Sequence, residues 1–437
     1  MADDDGHRPT EVPPRDTVVQ PWIVACAAIF VCAWGGNQFT PLLTMYRQSN
    51  GYSTAVVDTL LAAYVLGLAP ALITGHLLAE RFGRVRTVLG ALFAGTLGST
   101  ALAVGGLACL SLGRMLSGVA VGLGMAVGTG WVVELTISGG GAPGLGARRA
   151  ALSLTAGFGV GAGVAGVLAT LAPGRETTPY LPHILVTIAV IAMVLVCCER
   201  DPRERAPAVW VNPLRVPSLR HVRFRRLVLP LAPWIFGAAG VAYAVLPETM
   251  AHTVGRWSLL YATALTVVTL GVGAAIQPAA RHLDHAHHPR AILAAMAVVT
   301  IGVAAAALSV EAQSPWLGVG AAVLLGLAFG MALVAGLLEL QRLSAPDDLA
   351  AMTGFYYSLA YLGFCLPAVL AFAGSWFPMD AELGFVAVVA IVCTAFMARW
   401  SRSVDAQAAV ANVSVLGPVP KGSSAWRRLF GGHQIDG

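Results

Sequence analysis

Charge is the first thing this sequence lacks. Only 11% of its 437 residues are Asp, Glu, Lys or Arg, where a soluble domain carries roughly a quarter, and so little charge excludes a wetted globular surface. Lysine is almost missing: Lys421 is the only one, and arginine supplies the other basic residues. With so much Ala, Gly and Val, this reads as a GC-rich bacterial coding bias. The seven cysteines (Cys26, Cys32, Cys109, Cys197, Cys198, Cys365 and Cys393) are unclustered and fall in apolar runs. They offer neither a disulfide framework nor a metal spacing, so they read as small packing residues. A cleavable signal peptide is not expected, because Met1 to Asp5 is acidic and the first apolar run is too long for an h-region. The chain has no G-x-x-x-x-G-K-[ST] phosphate loop, which disfavours an ATP-driven pump. It also has no Asp or Glu in the middle of an apolar run. Enzymes need convergent acids, bases or nucleophiles, so a membrane-embedded lipid-modifying enzyme is a poor fit, and no cofactor or metal is expected.

What the chain has instead is apolar length. Its hydrophobic share is 57%, its glycines number 49, and its mean hydropathy is +0.73. A helix needs about 20 apolar residues to cross the hydrocarbon core. Runs of that length are predicted near 21–45, 55–79, 86–107, 109–135, 149–172 and 180–198, then near 227–249, 257–280, 290–311, 315–341, 349–374 and 381–400. The narrowest division is at Gly105–Gly106. The fold class read from this pattern is an all-α membrane protein of twelve spans. Arginine placement orients it. With the N-terminus in the cytoplasm, only Arg47, Arg175 and Arg256 of the 27 basic residues fall outside, and Arg114 lies within a span. Both termini are therefore expected in the cytoplasm, on the inner membrane of a bacterium. The formal charge of +5 then marks the cytoplasmic face and not a nucleic-acid partner.

The domain boundaries follow: a cytoplasmic segment at 1–20, a six-helix bundle at 21–198, a central loop at 199–226, a second bundle at 227–400 and a tail at 401–437. The tail is polar, ends in the basic cluster Trp426 to Phe430, and is expected to be disordered. From Val209 to Arg226 the central loop alternates arginine with Trp210, Leu214, Leu219, Val222 and Phe224. It reads either as a solvated positive-inside loop or as a segment lying along the anionic leaflet. Gly124-Met125-Ala126 with Glu134-Leu135, and Gly330-Met331-Ala332 with Glu339-Leu340, form a faint internal repeat, in keeping with two related halves.

The sharpest local pattern follows the second run: Leu78-Ala79-Glu80-Arg81-Phe82-Gly83-Arg84-Val85-Arg86. It is a tight basic turn in which Gly83 lets the backbone reverse. This stretch resembles the G-x-L-A-D-R-x-G-R-[RK] loop of the major facilitator superfamily. Glu80 stands at the aspartate position, Arg81 and Arg84 at the arginines and Gly83 at the second glycine, while His76 replaces the first glycine and Val85 the last basic residue. The resemblance implies a conformational latch of Glu80, Arg81, Gly83, Arg84 and Glu134. In it Glu80 meets the end of helix eleven and an arginine pairs with Glu134, as a buried pair at a domain interface. The alternative is that the arginines only fix topology.

Helix four carries Leu110-x-x-x-Arg114-x-x-Ser117-Gly118-x-x-x-Gly122, similar to the family's l-x-x-x-R-x-x-q-G. An arginine at membrane depth persists facing a wet cavity or a partner, and the resemblance implies a part in substrate or proton coupling. The competing reading is a side chain that snorkels to the outer surface. Helix five carries Gly157-x-x-x-Gly161-Ala162-Gly163-Val164-Ala165-Gly166. This is similar to an antiporter signature, yet small-xxx-small packing produces the same string. Gly118, Gly122, Gly157, Gly161 and Gly166 are thus expected at close helix contacts. The loop after helix eight, Gly273 to Asp284, keeps only a glycine, an arginine and an acid of the latch, and His285, His287 and His288 beyond it read as a soft loop more readily than as a metal site.

The family resemblance places helices one, four, seven and ten around a cavity. The expected lining is Trp34, Asn37, Gln38 and Thr40 from helix one, Arg114 from helix four, Tyr243 and Glu248 from helix seven, and Tyr356, Tyr357 and Tyr361 from helix eleven. Such a set suits an amphipathic organic solute, anionic ones included. Ordinary helix packing is the alternative for each tyrosine, and an interhelical hydrogen bond for Asn37 and Gln38. Proton coupling falls to Glu248 or Asp58, and a uniporter remains open. The expected protein is a monomeric secondary transporter embedded in lipid, moving a small molecule. A proton-coupled exporter of drug-like or metabolite compounds comes first, and an importer of a small nutrient second.

Overall fold

The structure is a computed structural model that describes residues 20–142, 144–198, 217–283, 289–344 and 349–415. Among them are twelve helices long and apolar enough to cross a membrane. They are α1 (Pro21–Asn50), α2 (Thr54–Phe82), α3 (Arg84–Val104), α4 (Leu107–Ser138), α5 (Leu145–Leu171) and α6 (Thr178–Cys197) in the first half. The second half holds α7 (Phe224–Thr249), α8 (Ala251–His282), α9 (Arg290–Glu311), α10 (Pro315–Leu343), α11 (Ala351–Ala373) and α12 (Met379–Ser401). Every helix predicted from hydropathy is present. The division at Gly105–Gly106 holds because both glycines take positive φ, +78° and +77°, which ends α3 and starts α4 with no loop between.

The two halves repeat one packing scheme. In the first, α4 lies on α2 and α3, and α1 on α5; in the second, α10 lies on α8 and α9, and α7 on α11. Lipid supplies no hydrophobic force between helices, so close backbone approach has to come from small residues. Gly118 of α4 faces the Tyr64 carbonyl of α2, and Gly122 meets Ala71 and the Leu68 carbonyl. Gly326 and Gly330 of α10 repeat this against the Thr269 and Gly273 carbonyls of α8. Between the halves, α2 packs on α11 and α5 on α8. Exposed Trp257, Trp316, Trp376 and Phe377 belong to the end of the bundle opposite α1's start, here the far end, as befits an interfacial aromatic belt.

Four helices are interrupted near mid-depth. The first stretch of α1 ends at Asn37 and resumes at Leu43, after the tight turn Thr40–Leu42. Pro41 has no N–H to return to the preceding turn. Wide turns occupy Gly124–Gly128 in α4 and Val241–Val245 in α7, and a tight turn Leu362–Phe364 in α11. Such irregular backbone recurs at functional sites and at membrane depth where it lines a cavity.

Two boundaries differ from expectation. The stretch from Gly273 read as a loop after α8 is helical through His282, because Gly273 packs on Phe329 and the Gly326 carbonyl of α10. The histidines beyond it, His285, His287 and His288, lie outside the described residues. The last helix runs on to Val415, past the boundary expected at Ser401, and 416–437 lie outside the described residues, as do 1–19 and the 199–216 part of the central loop. The described remainder of that loop is anchored on the second half. Arg223 Nε donates to Glu339 Oε1 at 2.6 Å, its Nη2 donates to Oε2 at 3.2 Å, and Arg226 lies over the Trp400 ring at 4.4 Å.

Candidate functional site

Arg114 is 1% exposed, so it does not snorkel toward the end of α4. Its Nε donates to the Leu60 carbonyl at 3.2 Å, Nη2 to Leu61 at 3.3 Å and Nη1 to Gly36 at 3.1 Å. A helix carbonyl has two lone pairs, so α2 offers these acceptors without unwinding. The guanidinium carbon also sits 4.6 Å from the Tyr64 ring centroid and 4.9 Å from that of Phe39. Contacts of this kind are worth roughly 0.5–2 kcal/mol each. Among the described residues no carboxylate pairs with Arg114. Three of its five N–H groups are therefore held by carbonyls, and its charge has no fixed counter-ion.

That charge faces a cavity between the halves, lined on one side by Gly36, Asn37 and Thr40 of α1, Tyr64 of α2, Arg114 of α4 and Phe158 of α5. The other side is Phe236 and Tyr243 of α7, Leu270 of α8, Phe329 of α10, and Tyr361 and Phe364 of α11. The second wall is a sheaf of rings. Phe236 and Tyr361 stack at 3.9 Å with planes 17° apart, and Phe364 and Phe329 pack on Phe236 at 4.8 and 5.4 Å. The cavity volume is about 20 Å³, the scale of a single water. A drug-sized solute enters only when the halves part or the stack opens.

Of the expected lining, Asn37, Thr40, Arg114, Tyr243 and Tyr361 converge on the cavity and the others do not. Trp34 packs edge-on against Phe30, with Gly161 of α5 seated on its backbone. Gln38 points away, into the first half, where its Nε2 donates to Ser99 Oγ. Tyr356 donates to the Ala332 and Leu333 carbonyls and packs on Tyr357, which is the packing alternative. Glu248 belongs to a cluster at the far end. There Arg47 Nη1 lies 3.4 Å from both Asp58 Oδ1 and Glu248 Oε2, the Thr54 hydroxyl bonds Glu248, and Gln48 donates to Ser258 at 2.9 Å. This cluster ties α1 and α2 to α7 and α8. Sequence reasoning overlooked Tyr64, Phe158, Phe236, Phe329 and Phe364, which look like any apolar residue in a hydrophobic run, and Arg47, which counted only as an outside charge.

At the opposite end, Gly83 takes φ +85° and joins α2 to α3, accepting from Thr87 and donating to Ala79. Arg84 and Glu134 are in direct contact. Both are half exposed, 43% and 53%, and both belong to the first half, which corrects the expected buried pair at a domain interface. Val85 is buried there while the charged ends of Arg84 and Glu134 stay wet. Glu80 and Arg81 are exposed, and α11 meets α2 through Gly354 over Leu72 and Ile73, about two turns before Glu80. The glycines expected at close contacts are there: Gly157 lies over the Phe30 carbonyl, Gly161 on Trp34, and Gly166 crosses between the halves onto Thr263.

This arrangement of two six-helix halves around a buried arginine agrees with sequence comparison, in which the family model described as the Major Facilitator Superfamily matches residues 25–368. The chain belongs to this superfamily. Among solved structures it is similar to the nucleoside transporter NupG in two crystal structures. The first, of a point mutant, has a TM-score of 0.70 at 12% identity, covering 86% of this chain and 98% of that one. The second has a TM-score of 0.65, also at 12% identity, covering 87% and 98%. At that identity the likeness speaks for the fold alone. A comparison with curated proteins gives no match. As a superfamily member the protein is a multi-pass membrane transporter of small molecules.

Proposed function

We propose that this protein is a secondary active transporter that exports a drug-like or metabolite compound across the bacterial cytoplasmic membrane in exchange for protons, by alternating access and with both termini inside. The observation that carries the reading is the cavity itself: an acid-free guanidinium on one wall and five rings on the other. A flat solute takes the place of the Phe236–Tyr361 stack, and a negative or electron-rich group on it meets Arg114. The far-end cluster supplies the coupling. With the termini inside, Arg47, Asp58 and Glu248 close the outer mouth, and two carboxylates share one cation. Protonating either acid weakens the hold of Arg47. Asp58 lies within one turn of Leu60 and Leu61, whose carbonyls grip Arg114, so the mouth and the cavity are joined through α2.

A second reading, import of a nutrient, draws on the two similar structures being of a nucleoside transporter, since stacked rings also suit a base. Flux of norfloxacin, salicylate and uridine into everted vesicles, with and without a proton gradient, separates the two. Export predicts gradient-driven accumulation of an aromatic acid, abolished by Glu248→Gln together with Asp58→Asn. Uridine flux alone would favour import, and no protein-dependent flux in a wider panel would end the exporter reading.

A further inference from the structure

His183 of α6 played no part in the sequence reading, yet both of its ring nitrogens are bonded inside the first half. It is 1% exposed. Its Nε2 lies 2.9 Å from the Val31 carbonyl of α1 and 3.3 Å from the Thr187 hydroxyl, and its Nδ1 lies 2.7 Å from Ser99 Oγ of α3. A carbonyl only accepts, so Nε2 carries the proton and donates to Val31, leaving Nδ1 to accept from the Ser99 hydroxyl. Ser99 in turn accepts from Gln38 Nε2 at 2.7 Å. The chain thus runs from α6 through α3 to Gln38, the first residue of the break in α1.

The shape of α1 matches this chain. A side chain at Gly35 would sit 2.7 Å from the imidazole Nε2, so glycine there opens the seat for the ring, and the Trp34 ring tilts against its other face at 6.1 Å. The groups facing His183 are Val31, Trp34 and Gly35 from α1, Gly95 and Ser99 from α3 and Thr187 from its own helix. None of them is ionisable. A second proton on the ring would have to donate to Ser99 Oγ, displacing the hydroxyl hydrogen that now points at Nδ1, with no counter-charge beside it.

We propose that His183 is a positioning residue: an uncharged strut that, through Ser99 and Gln38, fixes the broken segment of α1. Asn37 flanks that anchor on the cavity side, donating to the Phe158 carbonyl at 3.1 Å and accepting from Thr40 at 2.7 Å. Where Gln38 is held, Asn37 and Thr40 are held too. Their presentation to a cargo rests on the transport reading above; the strut does not.

Hydrogen–deuterium exchange on the purified full-length protein in lipid nanodiscs tests it without any cargo. His183→Ala and Ser99→Ala are expected to speed exchange of the amides at 38–43 about tenfold, the scale of one lost buried hydrogen bond. Exchange in α9 and α10 should not change, and His183→Gln, which can still donate and accept, should return to near the parent rate. The parent, corrected for intrinsic rates, should give the same protection at pH 6 and pH 8. Unchanged exchange in both alanine variants would overturn the strut. So would acceleration spread through both halves, or protection in the parent that is lost at pH 6, which would make His183 a titrating group. Should His183→Ala fail to accumulate, Ser99→Ala and Gln38→Ala carry the test. Norfloxacin and uridine flux in vesicles then reports on cargo presentation: a raised KM at held maximal rate for His183→Ala supports it. Flux absent from the parent would fault the transport reading and leave the exchange result standing.

Discussion

Both halves lay a glycine-faced helix on its neighbour, Gly118 and Gly122 of α4 on α2, Gly326 and Gly330 of α10 on α8. Each of these helices ends in a glutamate with an arginine beside it, but the two pairs differ in kind. Glu134 meets Arg84 from the turn between α2 and α3 with both side chains half exposed. Glu339 is 2% exposed and is gripped by Arg223 from the approach to α7, with Arg342 3.6 Å away. In the second half α8 stays helical through His282, and Glu339 takes a cation from the segment that joins the halves. A wet pair can open and close at little cost, whereas a buried one cannot open without stranding charge. The first half thus closes this end with a wet pair and the second with a buried one.

The walls of the cavity divide in the same sense. The first half contributes the charge and the amide, Arg114 and Asn37, and the second contributes Phe236, Tyr243, Phe329, Tyr361 and Phe364.

Breaking the buried pair should have the larger effect on stability. Glu339→Ala leaves Arg223 and Arg342 facing an emptied acid site, and thermal unfolding in detergent should show a loss of about 3–5 kcal/mol. A loss near that of Arg84→Ala would erase the contrast between the halves. The wet pair should respond far less. Arg84→Glu or Glu134→Arg alone should cost at most about 1 kcal/mol, but each should slow flux. The double reversal should restore flux beyond either single change, and failure to restore it would remove the latch.

Much of the fold was legible because apolar length is a property of whole segments. The twelve spans and the junction at Gly105–Gly106 needed no tertiary information. The candidate site was legible where a polar or phenolic residue stood out in an apolar run: Arg114 in a span, Asn37 and Thr40 before Pro41, Tyr243 and Tyr361. Where a residue's chemistry fitted its surroundings, nothing marked it. Phe236, Phe329 and Phe364 are ordinary in apolar helices, and only packing turns them into one wall. Gln38 and Asn37 are adjacent in sequence, yet the turn after Asn37 sends one into the cavity and the other toward Ser99. Depth also misled. Asp58 and Glu248 looked like separate end-of-helix acids, and only the packing of α1 and α2 against α7 brings both to Arg47.

The measurement that bears most directly on the cavity is flux in everted vesicles for the parent, Arg114→Lys and Arg114→Ala at matched protein levels. The account predicts that Arg114→Ala falls to background. Arg114→Lys, which keeps the charge but cannot reach three carbonyls with a planar fork, should retain only a small part of the flux. Parent-level flux in Arg114→Ala would contradict it, and would leave Arg114 as a clasp between α1, α2 and α4 with no part in transport.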